Sequence, residues 1–431
     1  MSTEPHIAVG IMSTTRLSFE LKGRFQSGGE WVSGAQLAAL KDGLIEWGGQ
    51  SSKELLFTPY NDEAFFCLHE VVIGIGFHWE RKEDQCFKGS LRLIVDADRI
   101  VAINLIAAEA YLSSVISSEM SAQASLPLLQ AHAVISRSWL LKPLLNHNIS
   151  REQPPSESPD RIIRWYERDA HDLFDVCADD HCQRYQGITR AVGERVQQAM
   201  KSTRGEVLMY DGSICDARYY KACGGATETF DSCWADEHHP YLKSVFDRES
   251  AASCDPDMND EAMARAWILS EPNAFCNTKD TEVLRQVLND YDQETTRFFR
   301  WEQEYTQEEL SSLINRKSGI DFGKIQDLIP LKRGQSGRIV ELQIVGPKRT
   351  VVVGKELEIR KWLSESHLYS SAFVVDKITT EHGTHFVLRG AGWGHGVGLC
   401  QIGAAVMGAQ NYTYHQILKH YFNHATVQQI Y

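Results

Sequence analysis

Five glycines alternate through nine residues of this chain, Gly390-Ala391-Gly392-Trp393-Gly394-His395-Gly396-Val397-Gly398, and no other stretch restricts the fold so strongly. A backbone without Cβ atoms turns through left-handed conformations and lies against another backbone, or a ligand, closer than side chains permit. The segment follows a strand-like run from Phe386 to Arg389. It is not a phosphate loop, because no Gly-Lys-Ser/Thr follows, and it lacks the spacing and acidic residue of a dinucleotide-binding turn. Two readings stand. In one, Trp393 offers a flat apolar face to a sugar ring, and His395 donates a hydrogen bond or transfers a proton. In the other, the segment is a tightly packed turn around a core histidine.

The rest of the chain alternates between strand and helix periods. His6 to Ile11, Leu17 to Leu21, Glu70 to Phe77 and Leu91 to Asn104 read as strands, with turns at Gly28-Gly29 and Gly48-Gly49. From Ala107 to Met120 the period becomes helical, with Ala108, Leu112, Val115 and Ile116 on one face. A second helix starts at Ser125 and Pro127, lines Leu128, Ala131, Ile135 and Trp139 along one side, and weakens at Pro143. The two helices leave a tight junction around Glu119. Residues 150–160 read as an exposed loop, and residues 204–248 as strands and turns around Cys223-Gly224-Gly225. Residues 255–318 are polar and helix-favouring, with Trp267, Trp301 and Leu310 as apolar anchors, and read as an inserted helical subdomain. Ile339–Ile344 and Thr350–Val353 form a hairpin pattern, and Tyr414–Phe422 a final helix.

Composition excludes some functions. At 43% hydrophobic residues the chain has ample core material, but its net charge of −13 is the opposite of a nucleic-acid binder's electrostatic footprint. No apolar run is long enough to span a bilayer. The N-terminus, MSTEPHIAVGIM, lacks a basic start followed by a long apolar stretch and is not a secretory signal as written. On that ground alone a cytoplasmic location is expected if this N-terminus is native. Ten cysteines in 431 residues are too dilute for a disulfide scaffold. The simplest hydrolase readings also fail, because there is no Gly-x-Ser-x-Gly elbow and no His-Glu-x-x-His helix.

Three further constellations carry chemistry. Glu119 sits where a helix ends at a tight junction; burial there raises a carboxyl pKa toward the value a general acid needs, whereas a solvated helix-end glutamate is the plainer alternative. His171, Cys177, His181 and Cys182 put four nitrogen and sulfur donors within twelve residues, the donor set that closes a tetrahedral zinc site. The alternatives are a Cys177–Cys182 disulfide, or two core cysteines beside surface histidines. Tyr219, Tyr220 and Lys221, ahead of Cys223-Gly224-Gly225, line a polymer groove or simply form a strand entering a turn. Cys223 is a candidate disulfide partner of Cys254.

In this order the pieces resemble the family of stage II sporulation protein D and the amidase enhancer. Glu109-Ala110-Tyr111-Leu112 through Glu119-Met120, then Leu129 to Trp139, look like its Glu-Met and Ala-Gln-Ala-Val-x-x-Arg-Thr-Tyr block. Tyr219 to Thr227, with Trp234 and Pro240-Tyr241-Leu242, is similar to its Cys-Gly-Gly-x-Thr block. Gly392 to Ala404, followed by Tyr414 to Phe422, resembles its closing signature, and Ser336-Gly337-Arg338 and Ser370-Ser371-Ala372-Phe373 also match. The likeness spans residues 100–430. Departures are Gln130 where lysine is frequent, His132 for glutamine, Ser138-Trp139 for Thr-Tyr and Leu399-Cys400 for Met-Ser.

The resemblance implies a lytic transglycosylase of peptidoglycan, acting between N-acetylmuramic acid and N-acetylglucosamine to leave 1,6-anhydro ends. It implies Glu119 as acid/base and Arg137 as its functional arginine. Tyr219, Tyr220, Lys221, Trp393, His395 and Gln401 would line the substrate groove, and a structural zinc would sit on His171, Cys177, His181 and Cys182. Some clostridial members carry a similar two-histidine, two-cysteine site, with ligand spacing one residue wider than here. The implied fold is α+β: strand-rich lobes, a helical catalytic segment and a groove between lobes. Four segments are expected: a strand-rich 1–105, a catalytic 106–254 with the zinc loop, a helix-rich insertion 255–335 and a C-terminal 336–431. The family also implies a cell-envelope location. The rival reading is a non-catalytic glycan-binding enhancer of an N-acetylmuramoyl-L-alanine amidase; a zinc amidase would need an open metal position that four protein ligands do not leave.

Overall fold

The computed structural model describes residues 3–74, 80–121, 123–145, 156–166, 171–179, 181–189, 193–249, 255–287, 297–381 and 383–431. The chain is mixed α/β and divides into two compact units, each assembled from separated segments. One comprises Met1–Ala133, Arg168–Glu206 and Gln429–Tyr431; the other comprises Val134–Glu167 and Val207–Gln428. The four consecutive segments expected from sequence therefore differ from the units, because distant stretches pair across each of them. No described helix is long and apolar enough to cross a membrane.

The first unit is built on one large sheet. His6–Thr14 pairs antiparallel with Arg99–Ala107, and the order continues through Ser90–Asp96, Glu54–Pro59, Arg16–Ser27 and Glu30–Lys41. The expected strand Leu91 to Asn104 is two strands joined by a turn at Ala97, whose φ of +48° reverses the chain. Strand Phe65–Ile73 agrees with the start of the expected Glu70 to Phe77 run, of which residues 75–77 lie outside the described residues. Cys67 and Cys86 form a disulfide between the paired strands Phe65–Ile73 and Arg81–Phe87.

Strand Arg99–Ala107 runs directly into helix α1, Ala108–Glu119, which buries Ala108, Tyr111, Leu112, Val115 and Ile116 on the predicted face. Full burial of each large side chain there contributes about 2 kcal/mol. Helix α2, Leu126–Leu145, follows the short junction at Glu119 and contains Pro143 in its last turn.

In the second unit, five strands order as Ser156–Ser158, Arg161–Ile163, Thr350–Gly354, Ile339–Val345 and Asp327–Arg333. Ile339–Val345 and Thr350–Gly354 make the expected hairpin. Residues 156–160, read as part of an exposed loop, form with 161–163 a small hairpin on this sheet; residues 150–155 lie outside the described residues. In the expected helix-rich stretch 255–318, Glu261–Leu269, Thr281–Leu284 and Gln307–Ser318 are helices, and one segment is corrected. Arg300–Thr306 is a strand, antiparallel to Gly383–Ala391, which pairs in turn with Phe373–Thr380. Its polar residues alternate outward while Trp301 is buried, so composition disguised a strand as helix. Trp301, Leu310, Phe322, Leu342, Val353, Trp362 and Phe386 share one core, which ties residues 300–328 to the C-terminal strands. Helix Gln307–Ser318 carries a full capping box, Thr306 with Glu309, and ends at Gly319.

Candidate functional site

In the first unit, Glu119 is half-buried as the last residue of α1. Its Oε1 accepts the backbone N–H of Arg184 at 3.3 Å. The same stretch is fastened to α1 twice more. The Tyr185 ring lies 4.9 Å from that of Tyr111, and the Gln186 N–H donates to Ser114 Oγ at 3.3 Å. Below them the Tyr185 hydroxyl donates to Asn104 Oδ1 at 2.6 Å. The carboxylate is thereby oriented by the loop that holds the His/Cys set, since Arg184 lies two residues beyond Cys182.

That loop is seated on the sheet edge. Val176–Cys177 pairs parallel with Val9–Gly10, and the Ala178 N–H donates to Gly10 O at 3.0 Å. Gly10 has a reason to be glycine: a Cβ there would stand 2.5 Å from the Phe174 ring. Phe174 packs on Ile94, Val101 and Ile103, and 4.6 Å from the His171 ring. On this base the donor atoms of His171, Cys177, His181 and Cys182 all lie within 4.8 Å of one another. His171 Nε2 is 3.4 Å from Cys182 Sγ, and His181 Nδ1 is 3.6 Å from Cys182 Sγ and 3.9 Å from Cys177 Sγ. A zinc tetrahedron with bonds near 2.0 and 2.3 Å has nitrogen–sulfur edges of about 3.5 Å. The four side chains therefore fit such an ion. The hydrogen bond with Cys182 leads in pulling the Cys177 thiol down to about 3; His181 and the Asp179 backbone add to it, and burial opposes them.

In the second unit the two remaining sequence blocks meet. Tyr219-Tyr220 pairs parallel with Leu399-Cys400, and Ala222 bridges Trp393 through hydrogen bonds of 2.7 and 3.1 Å. Glycine makes this contact: a Cβ on Gly224 would sit 2.7 Å from Gly392 N, and one on Gly392 2.6 Å from Ala222 O. The buried Arg338 locks the segment, donating to Gly394 O at 3.0 Å and to Ser336 Oγ at 3.0 Å, while Ser370 Oγ donates to Ala391 O at 2.8 Å. The Ser336-Gly337-Arg338 and Ser370-Ser371 matches are thus anchors of the glycine segment.

Both ring nitrogens of His395 are engaged by backbone. Nδ1 accepts the Val397 N–H at 3.1 Å, so Nε2 carries the proton toward Tyr219 O, also at 3.1 Å. Burial, then Arg218 and Arg338, push its pKa well down, and the ring is neutral. The packed-turn reading describes this histidine. Trp393 and Tyr219 are half-buried, with Trp393 against Phe298 and Tyr369. Tyr220 and Gln401 are buried, and Lys221 Nζ donates to Val287 O at 2.6 Å. Arg137, on α2, has no exposed surface. The N–H of Arg184 was not foreseen, because a backbone donor leaves no mark in a sequence pattern. Cys254 lies outside the described residues.

Residues 96–210, which span α1, α2 and the His/Cys loop, match the family described as Stage II sporulation protein. Residues 228–398 match a domain of unknown function, DUF8618. An uncharacterized protein of Brachyspira hyodysenteriae is 25% identical over 78% of this chain and 71% of its own length. The Bacillus amyloliquefaciens Stage II sporulation protein D is 22% identical over 73% of this chain and 72% of its own. The Bacillus subtilis Amidase enhancer is 24% identical over 53% of this chain, a match that covers only 32% of that relative. With the Glu-Met helix, the Cys-Gly-Gly block and the closing glycine segment all present, the chain is similar to stage II sporulation protein D and the amidase enhancer, and its residues 96–210 match the Stage II sporulation protein family.

Proposed function

We propose that the chain acts on bacterial cell wall as a peptidoglycan lytic transglycosylase, with Glu119 as its acid and base. The observation that carries this reading is the oriented, half-buried carboxylate at the end of α1, held by the Arg184 N–H. Neutral Glu119 protonates the glycosidic oxygen between N-acetylmuramic acid and N-acetylglucosamine, the bond from that oxygen to muramic C1 breaks, and N-acetylglucosamine leaves as the 4-hydroxyl. As carboxylate it then takes the proton of the muramic C6 hydroxyl, whose oxygen attacks C1 and closes the 1,6-anhydro ring. One carboxyl suffices because the nucleophile belongs to the substrate, whereas hydrolytic glycosidases use two. Arg137, fully buried, acts in this reading as a positioning residue. The half-buried Tyr219 and Trp393 offer ring faces to sugars, while Tyr220, Lys221, His395 and Gln401 shape the backbone beneath them.

Zinc is proposed on His171, Cys177, His181 and Cys182, where four protein donors leave no open position and give the ion a structural role. It would stiffen the loop that presents the Arg184 N–H to Glu119.

The test is mass spectrometry of glycan strands, with and without peptide stems, after incubation with wild type and Glu119→Gln. Anhydro-muramic ends from wild type, reduced roughly 100-fold or more in the variant, are expected of a general acid/base. Reducing ends would point to hydrolysis instead. A second reading follows from the relative named Amidase enhancer: the chain binds glycan and stimulates an N-acetylmuramoyl-L-alanine amidase. No cleavage by wild type, with amidase stimulation retained in Glu119→Gln, would favour it.

A further inference from the structure

Four residues from four distant stretches meet in the interior of the second unit: Cys223, Asp247, Cys276 and Cys400. All are buried, at 2%, 0%, 1% and 0% exposure. Their donor atoms lie within 4.8 Å of one another, with Cys223 Sγ 3.2 Å from Cys276 Sγ and 3.3 Å from Asp247 Oδ2. We propose that these four side chains form a second metal site, a closed Cys3Asp tetrahedron for one soft divalent ion, zinc foremost.

The distances suit one ion. A tetrahedron with zinc–sulfur bonds of 2.3 Å has sulfur–sulfur edges of about 3.8 Å, so the thiols need to part only slightly. The observed separation exceeds a disulfide bond of about 2.04 Å by more than an ångström.

The surroundings are those of a ligand set. Asp247 Oδ1 accepts the Tyr421 hydroxyl at 2.6 Å, with His420 Nε2 3.5 Å away, while Oδ2 accepts the Cys276 N–H at 3.0 Å and faces Cys223 Sγ. Such outer partners fix a ligating carboxylate in place. Three backbone N–H groups point at sulfur: Cys223 N at 3.3 Å and Gly403 N at 3.4 Å from Cys400 Sγ, and Gly225 N at 3.3 Å from Cys223 Sγ. Cys400 also caps helix Gln401–Ala409, whose N-terminus favours a thiolate. Gly403 admits the carboxylate, since a Cβ there would meet Asp247 Oδ2 at 2.7 Å and the Tyr421 oxygen at 2.2 Å.

Charge agrees as well. Three thiolates and a carboxylate around a divalent ion leave two negative charges, and the guanidinium of Arg300 is held beside the site, donating at 2.9 Å to the carbonyl of Gly224, the residue after Cys223. Its own hydrogen bonds go to the carbonyls of Gly224, Trp267, Ser270 and Phe299. A half-buried cation held in this way favours negative charge nearby.

Nothing in this site depends on the glycan chemistry, and the test does not use it. The full chain, purified without chelator, is assayed for zinc, iron and copper by mass spectrometry. Two zinc ions per chain are expected, falling to one in Cys400→Ser and, separately, to one in Cys177→Ser. Because Cys400→Ser could misfold, Cys177→Ser/His181→Ala, which lacks the first cluster, is also produced in zinc-depleted medium supplemented with cobalt(II) and purified folded. The visible absorption of a tetrahedral cobalt–thiolate centre is expected from that variant, and its absence would overturn the site. So would metal content unchanged by Cys400→Ser in folded protein, or non-reducing peptide maps that find Cys223, Cys276 or Cys400 in a disulfide.

Discussion

Single side chains in this protein divide into those that hold backbone and those left to do chemistry. His395 holds backbone: removing its ring leaves the Val397 N–H and Tyr219 carbonyl without their partner. We expect His395→Ala to lose about 2–4 kcal/mol of stability by urea denaturation. A fall in activity without a fall in stability would instead give the ring a chemical role. His367 makes a pH prediction. Burial, then Arg360, Lys361 and Lys317, lower its pKa from 6.5 to about 4. Between those values the unfolded chain binds a proton that the folded chain does not, so stability is present above 6.5 and is lost as pH falls toward 4. The thermal midpoint is expected to drop between pH 7 and 5, and His367→Gln to flatten that drop. An identical slope in the variant would assign it to other groups.

At the scale of elements, the glycine segment owes its conformation to contact and not to flexibility. Gly224 and Gly212 share a positive φ, +77° and +73°, but only Gly224 faces neighbours, Gly392 N at 2.7 Å and Ala391 C at 2.8 Å. Gly212→Ala should cost about 1 kcal/mol, the left-handed backbone penalty alone. Gly224→Ala should cost at least about 2 kcal/mol more, because backbone must move. Equal losses in paired denaturation curves would show that the segment yields easily. Helix periods were legible where one face is apolar, as in α1, and the capping box at Thr306 marks a helix start by its spacing. The strand Arg300–Thr306 was not legible, because its exposed face carries Glu302 and Glu304, with Gln303 between them, residue types that also favour helix.

For the whole molecule, two buried or half-buried thiol clusters lie in separate units. Loss of the first should therefore act locally. In Cys177→Ser, hydrogen exchange is expected to speed up at Ala178, Cys182 and Tyr185, whose N–H groups are hydrogen-bonded within the loop and to Gly10. The hairpin Ile339–Val345 with Thr350–Gly354 should keep its protection. Faster exchange throughout both units would mean that the first cluster supports the whole chain.

The sequence by itself determined what is local. Helix faces repeat every three to four residues, turns need their glycines, and His171, Cys177, His181 and Cys182 fall within twelve residues, so their convergence requires one loop only. The three family blocks were readable for the same reason. Tertiary structure alone decided the rest. It brought the Arg184 N–H to Glu119, turned His395 onto two backbone groups, and gathered Cys223, Asp247, Cys276 and Cys400 across a span of 177 residues between the outermost sulfurs. Such meetings depend on strand register and on how closely glycine backbones approach, and neither leaves a spacing that can be read along the chain.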